Sequence, residues 1–154
     1  MKTEAARAAA AIRKELKKNG IKATVKSHNY SMGSSIRVVV NDQSPGTFDK
    51  IQNFANRFQY GHFDGMTDIY EYSNTNSDLN QAKFVFVDNK FSDEMKQAAF
   101  EFIKDTCALE EDFDQYQGNE YKLAFGNRNL GQFIYETLRG DKEFWTQSKK
   151  RVLA

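Results

Sequence analysis

The spacing of hydrophobic residues changes several times along the chain, and each change marks a predicted element. Ala5, Ala9, Ile12 and Leu16 recur at spacings of three and four, which predicts a helix over residues 3–18 with Thr3 as its N-cap. Asn19-Gly20 supplies a left-handed stop. Ile21, Ala23 and Val25 then alternate with polar residues, and after a polar stretch at 27–35 comes Ile36-Arg37-Val38-Val39-Val40, so a hairpin with a long loop is expected. Pro45-Gly46 breaks the pattern, and Phe48, Ile51, Phe54, Ala55 and Phe58 return to helical spacing until about Gln59.

Residues 69–72 and 83–87 read as two further strands, and a second hairpin across the polar stretch 73–81 is expected. Ser92-Asp93-Glu94 opens a helix by setting a capping hydroxyl ahead of first-turn carboxylates, and Met95, Ala98, Ala99, Phe102 and Ile103 give it a broad apolar face. Leu130, Phe133, Ile134 and Leu138 form another helix stopped at Gly140, with a last turn or two around Phe144 and Trp145. The predicted order is α-β-β-α-β-β-α-α. The expectation is a single α+β domain over residues 1–154, with a mainly antiparallel sheet of about four strands covered by helices on one side.

Size and composition agree with that reading. The 154 residues fit one domain, and thirteen Phe, seven Tyr and one Trp supply bulky core material. The longest apolar runs fall far short of the roughly 20 residues of a membrane span, so a soluble intracellular protein is expected. Cys107 is the only cysteine, which excludes an intrachain disulfide and a cysteine-based zinc cluster.

Charge adds a pattern that the net value of +1 conceals. Residues 1–46 carry nine Lys/Arg against three Asp/Glu, residues 47–120 six against fifteen, and residues 121–154 seven against three. Basic ends thus flank an acidic middle. A near-neutral total argues against wholesale coating of nucleic acid, while the blocks leave room for a local acidic or basic contact.

Candidate chemistry concentrates at residues 58–72, where Gly61 and Gly65 bracket His62 and Asp64, followed by Asp68 and Glu71. A histidine oriented by a carboxylate is a possible acid or base. The residues equally suit tight turns, with Asp64 and Asp68 satisfying loop amides, and the turn reading is the simpler one. No metal-ligand spacing completes a site here, and Cys107 sits among apolar neighbours where thiols are inert. The sequence carries no phosphate loop, dinucleotide fingerprint, nucleophile elbow or zinc-protease motif, so neither catalytic residues nor a cofactor are assigned.

Two kinds of binding remain, to a partner protein and to nucleic acid. The acidic run Glu110, Glu111, Asp112 and Asp114, with Phe113 and Tyr116 as aromatic anchors, suits a basic groove on a partner. Asp64, Asp68 and Glu71 are the second choice for such a surface. The alternative is nucleic acid, contacted by the basic ends through Lys14, Lys18 and Arg37.

Residues 12–17 (Ile-Arg-Lys-Glu-Leu-Lys), 34–38 (Ser-Ser-Ile-Arg-Val), 63–68 (Phe-Asp-Gly-Met-Thr-Asp) and 70–72 (Tyr-Glu-Tyr) together resemble a large polyvalent protein-associated domain of the twenty-ninth type, over about residues 4–72. The resemblance implies a phage, prophage or plasmid setting and a location in the cytoplasm of a host bacterium. It carries over no catalytic residues. With no enzyme motif present, the expectation is a non-enzymatic counter-defence inhibitor that binds a host defence protein or nucleoprotein, such as a CRISPR effector. The alternative is a nucleic-acid-binding accessory protein of the same element.

Overall fold

The computed structural model describes residues 2–106, 109 and 113–146. Its elements are α1 (Glu4–Lys18), β1 (Ala23–Tyr30), β2 (Gly33–Asn41), α2 (Pro45–Asn56), β3 (His62–Asp64), β4 (Ile69–Glu71), β5 (Phe84–Lys90), α3 (Asp93–Thr106), β6 (Leu123–Phe125), β7 (Arg128–Asn129) and α4 (Leu130–Gly140), and residues 142–146 are also helical. The chain divides into two compact units, Met1–Lys90 and Phe91–Ala154. Each unit gathers its own hydrophobic cluster.

In the first unit the helix ends follow the capping residues. The Thr3 hydroxyl accepts from the Ala6 amide, and Gly20 takes φ +74° as the helix stop. Ser44 caps α2, and Pro45 stands at its first position, where a missing N–H costs nothing. The small residues Ala5, Ala8 and Ala9 are almost fully buried, so α1 lies close against the sheet.

The sheet has the order β1-β2-β5, with β1 and β2 antiparallel and β2 and β5 parallel. This corrects the expected four-stranded, mainly antiparallel sheet. It also corrects the expected second hairpin, because β4 pairs with β3 while β5 returns to the central strand β2. The parallel join needs a crossover, and the long connection through α2 supplies it. The first hairpin is tighter than expected, since pairing runs on to Tyr30↔Gly33 through the polar residues that had suggested a loop. Those residues sit where the strands extend past their buried central part, so polarity there does not interrupt the ladder.

The alternation of the strands separates two faces. Val25, Ile36, Val38, Val40 and Val85 point inward and share one cluster with Ile12 and Leu16 of α1 and Ile51 and Ala55 of α2. The described helices of this unit therefore pack on this one face, as expected. The paired residues of the other face, Lys26↔Arg37↔Phe86 among them, are exposed.

The second unit is built on Ala99, Phe100, Ile103, Leu130, Ile134 and Leu138, with Phe144 and Trp145 packed into the same cluster. Ser92 caps α3 as expected, its hydroxyl accepting from the Met95 amide. Asn129 and Gln132 form a reciprocal capping box at the start of α4. The short hairpin β6–β7 was not anticipated; it turns through Gly126 at φ +58°.

Candidate partner-binding surfaces

The stretch from Tyr60 to Ser73 folds as a small hairpin that is sewn to the sheet by side chains. The Gln59 side chain donates to the Gly61 carbonyl, and its Oε1 accepts from the Val85 amide at 2.8 Å. Tyr70 donates its hydroxyl to the Lys83 carbonyl at 2.6 Å. The nearly buried Gln81 donates to the carbonyls of Arg57 and Asn74 and accepts from the Asn76 amide, holding down the polar segment that follows the hairpin. At Gly61 a Cβ would strike the Glu71 carbonyl oxygen and come within 2.6 Å of the Tyr70 ring, so this backbone approach requires glycine. Gly65 stands in open space, and the left-handed residue of the turn is Asp68 at φ +56°.

His62 is fully engaged within the hairpin. Its Nδ1 lies 2.7 Å from Ser73 Oγ and its Nε2 3.4 Å from Glu71 Oε2. Asp64 accepts from the Met66 amide, and that hydrogen bond is the main reason its carboxyl is held below the ordinary range. These contacts tie His62 and Asp64 to the conformation of the turn. Among the described residues no group of three or more His, Cys, Asp or Glu could hold a metal ion.

What the hairpin leaves outside is apolar and acidic. Phe63, Met66, Ile69 and Tyr72 are 54%, 97%, 59% and 70% exposed. Residues 58–82 hold four carboxylates, Asp64, Asp68, Glu71 and Asp78, and no Lys or Arg. The second-choice acidic residues are thus brought together on one short projection, with Asp64 and Glu71 on the same face of the ladder and Asp68 in the turn.

The first-choice acidic surface fares differently. Glu110, Glu111 and Asp112 lie outside the described residues, as does Cys107. Phe113 is only 3% exposed and belongs to the core of the second unit, its carbonyl accepting from Lys104 Nζ. Its ring is occupied by packing in that core. Asp114 is exposed, and Tyr116 is half-buried, its hydroxyl pushed up first by burial and then by Glu120 and Asp93.

Lys14, Lys18 and Arg37 do not form one patch. Lys14 and Lys18 lie two positions beyond the buried Ile12 and Leu16, on the side of α1 turned away from the sheet. Arg37 projects from the opposite, uncovered face. There it pairs with Asp88 at 2.7 Å and lies over the Phe86 ring at 5.2 Å. Sequence reasoning did not find this aromatic neighbourhood, which continues from Phe86 through Phe84 to Tyr70, Tyr72 and Tyr60 with centroid separations of 5.4–6.0 Å. Strand alternation in 84–86 is its signal, but only the pairing of β5 with β2 places it beside Arg37.

The family model for large polyvalent protein associated domain 29 matches residues 3–99, more than half of the 154-residue chain and the whole β-sheet unit apart from its first two residues. No curated protein and no solved structure matches the chain. No helix among the described residues is long and apolar enough to cross a membrane.

Proposed function

We propose, from the premise that this chain belongs to the large polyvalent protein associated domain 29 family of phage- and plasmid-associated proteins, that it is a non-enzymatic counter-defence protein which binds a host defence nucleoprotein through the β3–β4 hairpin. The observation that carries the reading is the grouping of Phe63, Met66, Ile69 and Tyr72, all exposed, with Asp64, Asp68 and Glu71 on one projection. Apolar side chains left in water at this density mark a contact surface, because burying them against a partner returns the free energy their exposure costs.

The acidic rim suggests the partner's chemistry. A defence effector such as a CRISPR complex presents Lys/Arg surfaces to hold guide RNA or target DNA. Carboxylates around the apolar tip would speed encounter with such a surface, and the side chains of Phe63 and Tyr72 would slow release. Firm anchoring of the hairpin by Gln59, Tyr70 and Gln81 reduces the ordering cost on binding.

The test is a plasmid-interference assay in cells carrying defined CRISPR and restriction systems. The wild type is compared with Asp64→Asn/Asp68→Asn/Glu71→Gln, which keeps the turn geometry, and with Phe63→Ser/Met66→Ser. Protection by the wild type that both folded variants lose is the expected result. If the wild type protects invading DNA in none of the systems, the reading fails; equal protection by all three proteins removes the hairpin as the contact.

A further inference from the structure

We propose that the uncovered face of the β1-β2-β5 sheet binds single-stranded nucleic acid. This proposal is independent of the hairpin reading. It rests on three features that meet on one face: exposed cations, an aromatic row, and the absence of a covering helix among the described residues of the first unit.

The cations come from all three strands. Lys26 projects from β1, Arg37 opposite it from β2, and Lys90 from the end of β5, all exposed. A groove of about 460 Å³ lies on this face, with Lys26, His28, Arg37 and Lys90 in its lining. Asp88 is the one carboxylate of the three strands on this face, and Arg37 neutralises it. The face is therefore net positive, although the chain as a whole is nearly neutral.

Phe86, 44% exposed, lies beside these charges and stacks on Phe84 at 6.0 Å with an interplanar angle of 12°. Lys83 Nζ lies 5.8 Å from the Phe84 centroid, so a cation accompanies each ring of the Phe84–Phe86 pair. An aromatic platform edged by Lys and Arg matches a ligand with flat rings and a phosphate backbone. Rings stack on unpaired bases, while the cations take phosphates. The guanidinium of Arg37, held by Asp88, adds a further planar surface on which a base can stack.

Other occupants fit less well. A second copy docked face to face would set Lys26, Arg37 and Lys90 against their own counterparts, a like-charge contact. Duplex nucleic acid keeps its bases stacked on one another and would leave the aromatic row unused.

The experiment is fluorescence polarisation of the full chain with dye-labelled oligo-U, oligo-dT and a mixed-sequence duplex, over a salt series. Binding to one or both single strands is expected, with the duplex weaker by about 5-fold or more, the loss of one stacked base. The RNA and DNA arms identify which strand is preferred. Phe86→Ala should weaken single-strand binding by about 5-fold or more, and Phe86→Trp should restore it. Lys26→Gln and Lys90→Gln should each lower the slope of log affinity against log salt by about 0.7. Circular dichroism checks that each variant keeps the wild-type fold. The proposal is overturned if no single strand binds at low salt, if duplex binds as tightly as single strand, if folded Phe86→Ala binds like the wild type, or if the chain self-associates through this face.

Discussion

The two faces of the three-stranded sheet are made by the same strands, alternating residue by residue, yet their chemistry is opposite. Inward go Val25, Val38, Val40 and Val85, with Ile36 fully buried beneath the helices. Outward go Lys26, His28, Arg37 and Phe86, all exposed. Burial dictates the inner set, since only aliphatic side chains fill that space without leaving polar groups unpaired. Nothing in folding dictates the outer set, where any polar strand former would serve. Aromatic rings placed under cations on a solvent-facing sheet therefore ask for a reason beyond stability, and binding supplies one.

The comparison breaks most severely at Ile36, which is fully buried at the centre of the sheet. Ile36→Ala should lower unfolding free energy by about 2–5 kcal/mol through lost burial and the cavity left behind. Chemical denaturation reads the loss as a lower midpoint. A loss under about 1 kcal/mol would mean that the inner face is not the tightly packed side.

Next in size is Gly61, where a methyl group must displace both the Glu71 carbonyl and the Tyr70 ring. Gly61→Ala should cost about 1–3 kcal/mol by overpacking. Gly65→Ala, in open space without a positive φ, should stay within about 0.5 kcal/mol. Equal effects at the two glycines would show that the hairpin is not pinned where Gly61 meets its second strand.

These two sites also show what the chain made legible before folding. Helix α1 could be placed to within a residue because its cap, its apolar stripe and its stop are all local. The turn at Asp64–Asp68 was legible for the same reason, although the glycine that the geometry requires is Gly61. Strand partners were not legible. Residues 84–87 alternate equally well beside β4 or β2, and the choice is made by a crossover through α2 that no local pattern encodes. Arg37 and Asp88 meet across 51 residues, and the ring row beside them became visible only with that register. Phe113 misled in the other direction: acidic neighbours made it read as exposed, while its ring is buried in the second core.

A smaller effect is expected on the outer face. Arg37→Gln breaks an ion pair whose two side chains are 58% and 45% exposed, so it should change stability by no more than about 1 kcal/mol. The same variant should weaken single-strand binding, because Arg37 supplies both charge and a stacking plane. A large stability loss would make Arg37 a structural residue and remove the contrast between the faces.

The finest probe is the ionisation of Tyr70, which has no effect at neutral pH and connects the hairpin to the aromatic row. Its hydroxyl is pushed up to about 12, first by burial and then by the neighbouring Tyr60 and Tyr72. A folded value raised above the unfolded 10.0 means that folding favours the protonated phenol. Its contribution is complete below pH 10.0 and is lost as pH climbs toward about 12. Ultraviolet titration of the folded chain should accordingly show tyrosines ionising late, Tyr70 among them with Tyr60 and Tyr116, and Tyr70→Phe should remove one phenol from that late phase. Tyr70→Phe should also flatten the decline of stability across this window, while losing at neutral pH the hydrogen bond to the Lys83 carbonyl, worth about 1 kcal/mol. If Tyr70 ionises with the exposed tyrosines, its ring is not held between the hairpin and Phe84, and the two proposed surfaces lose their structural link.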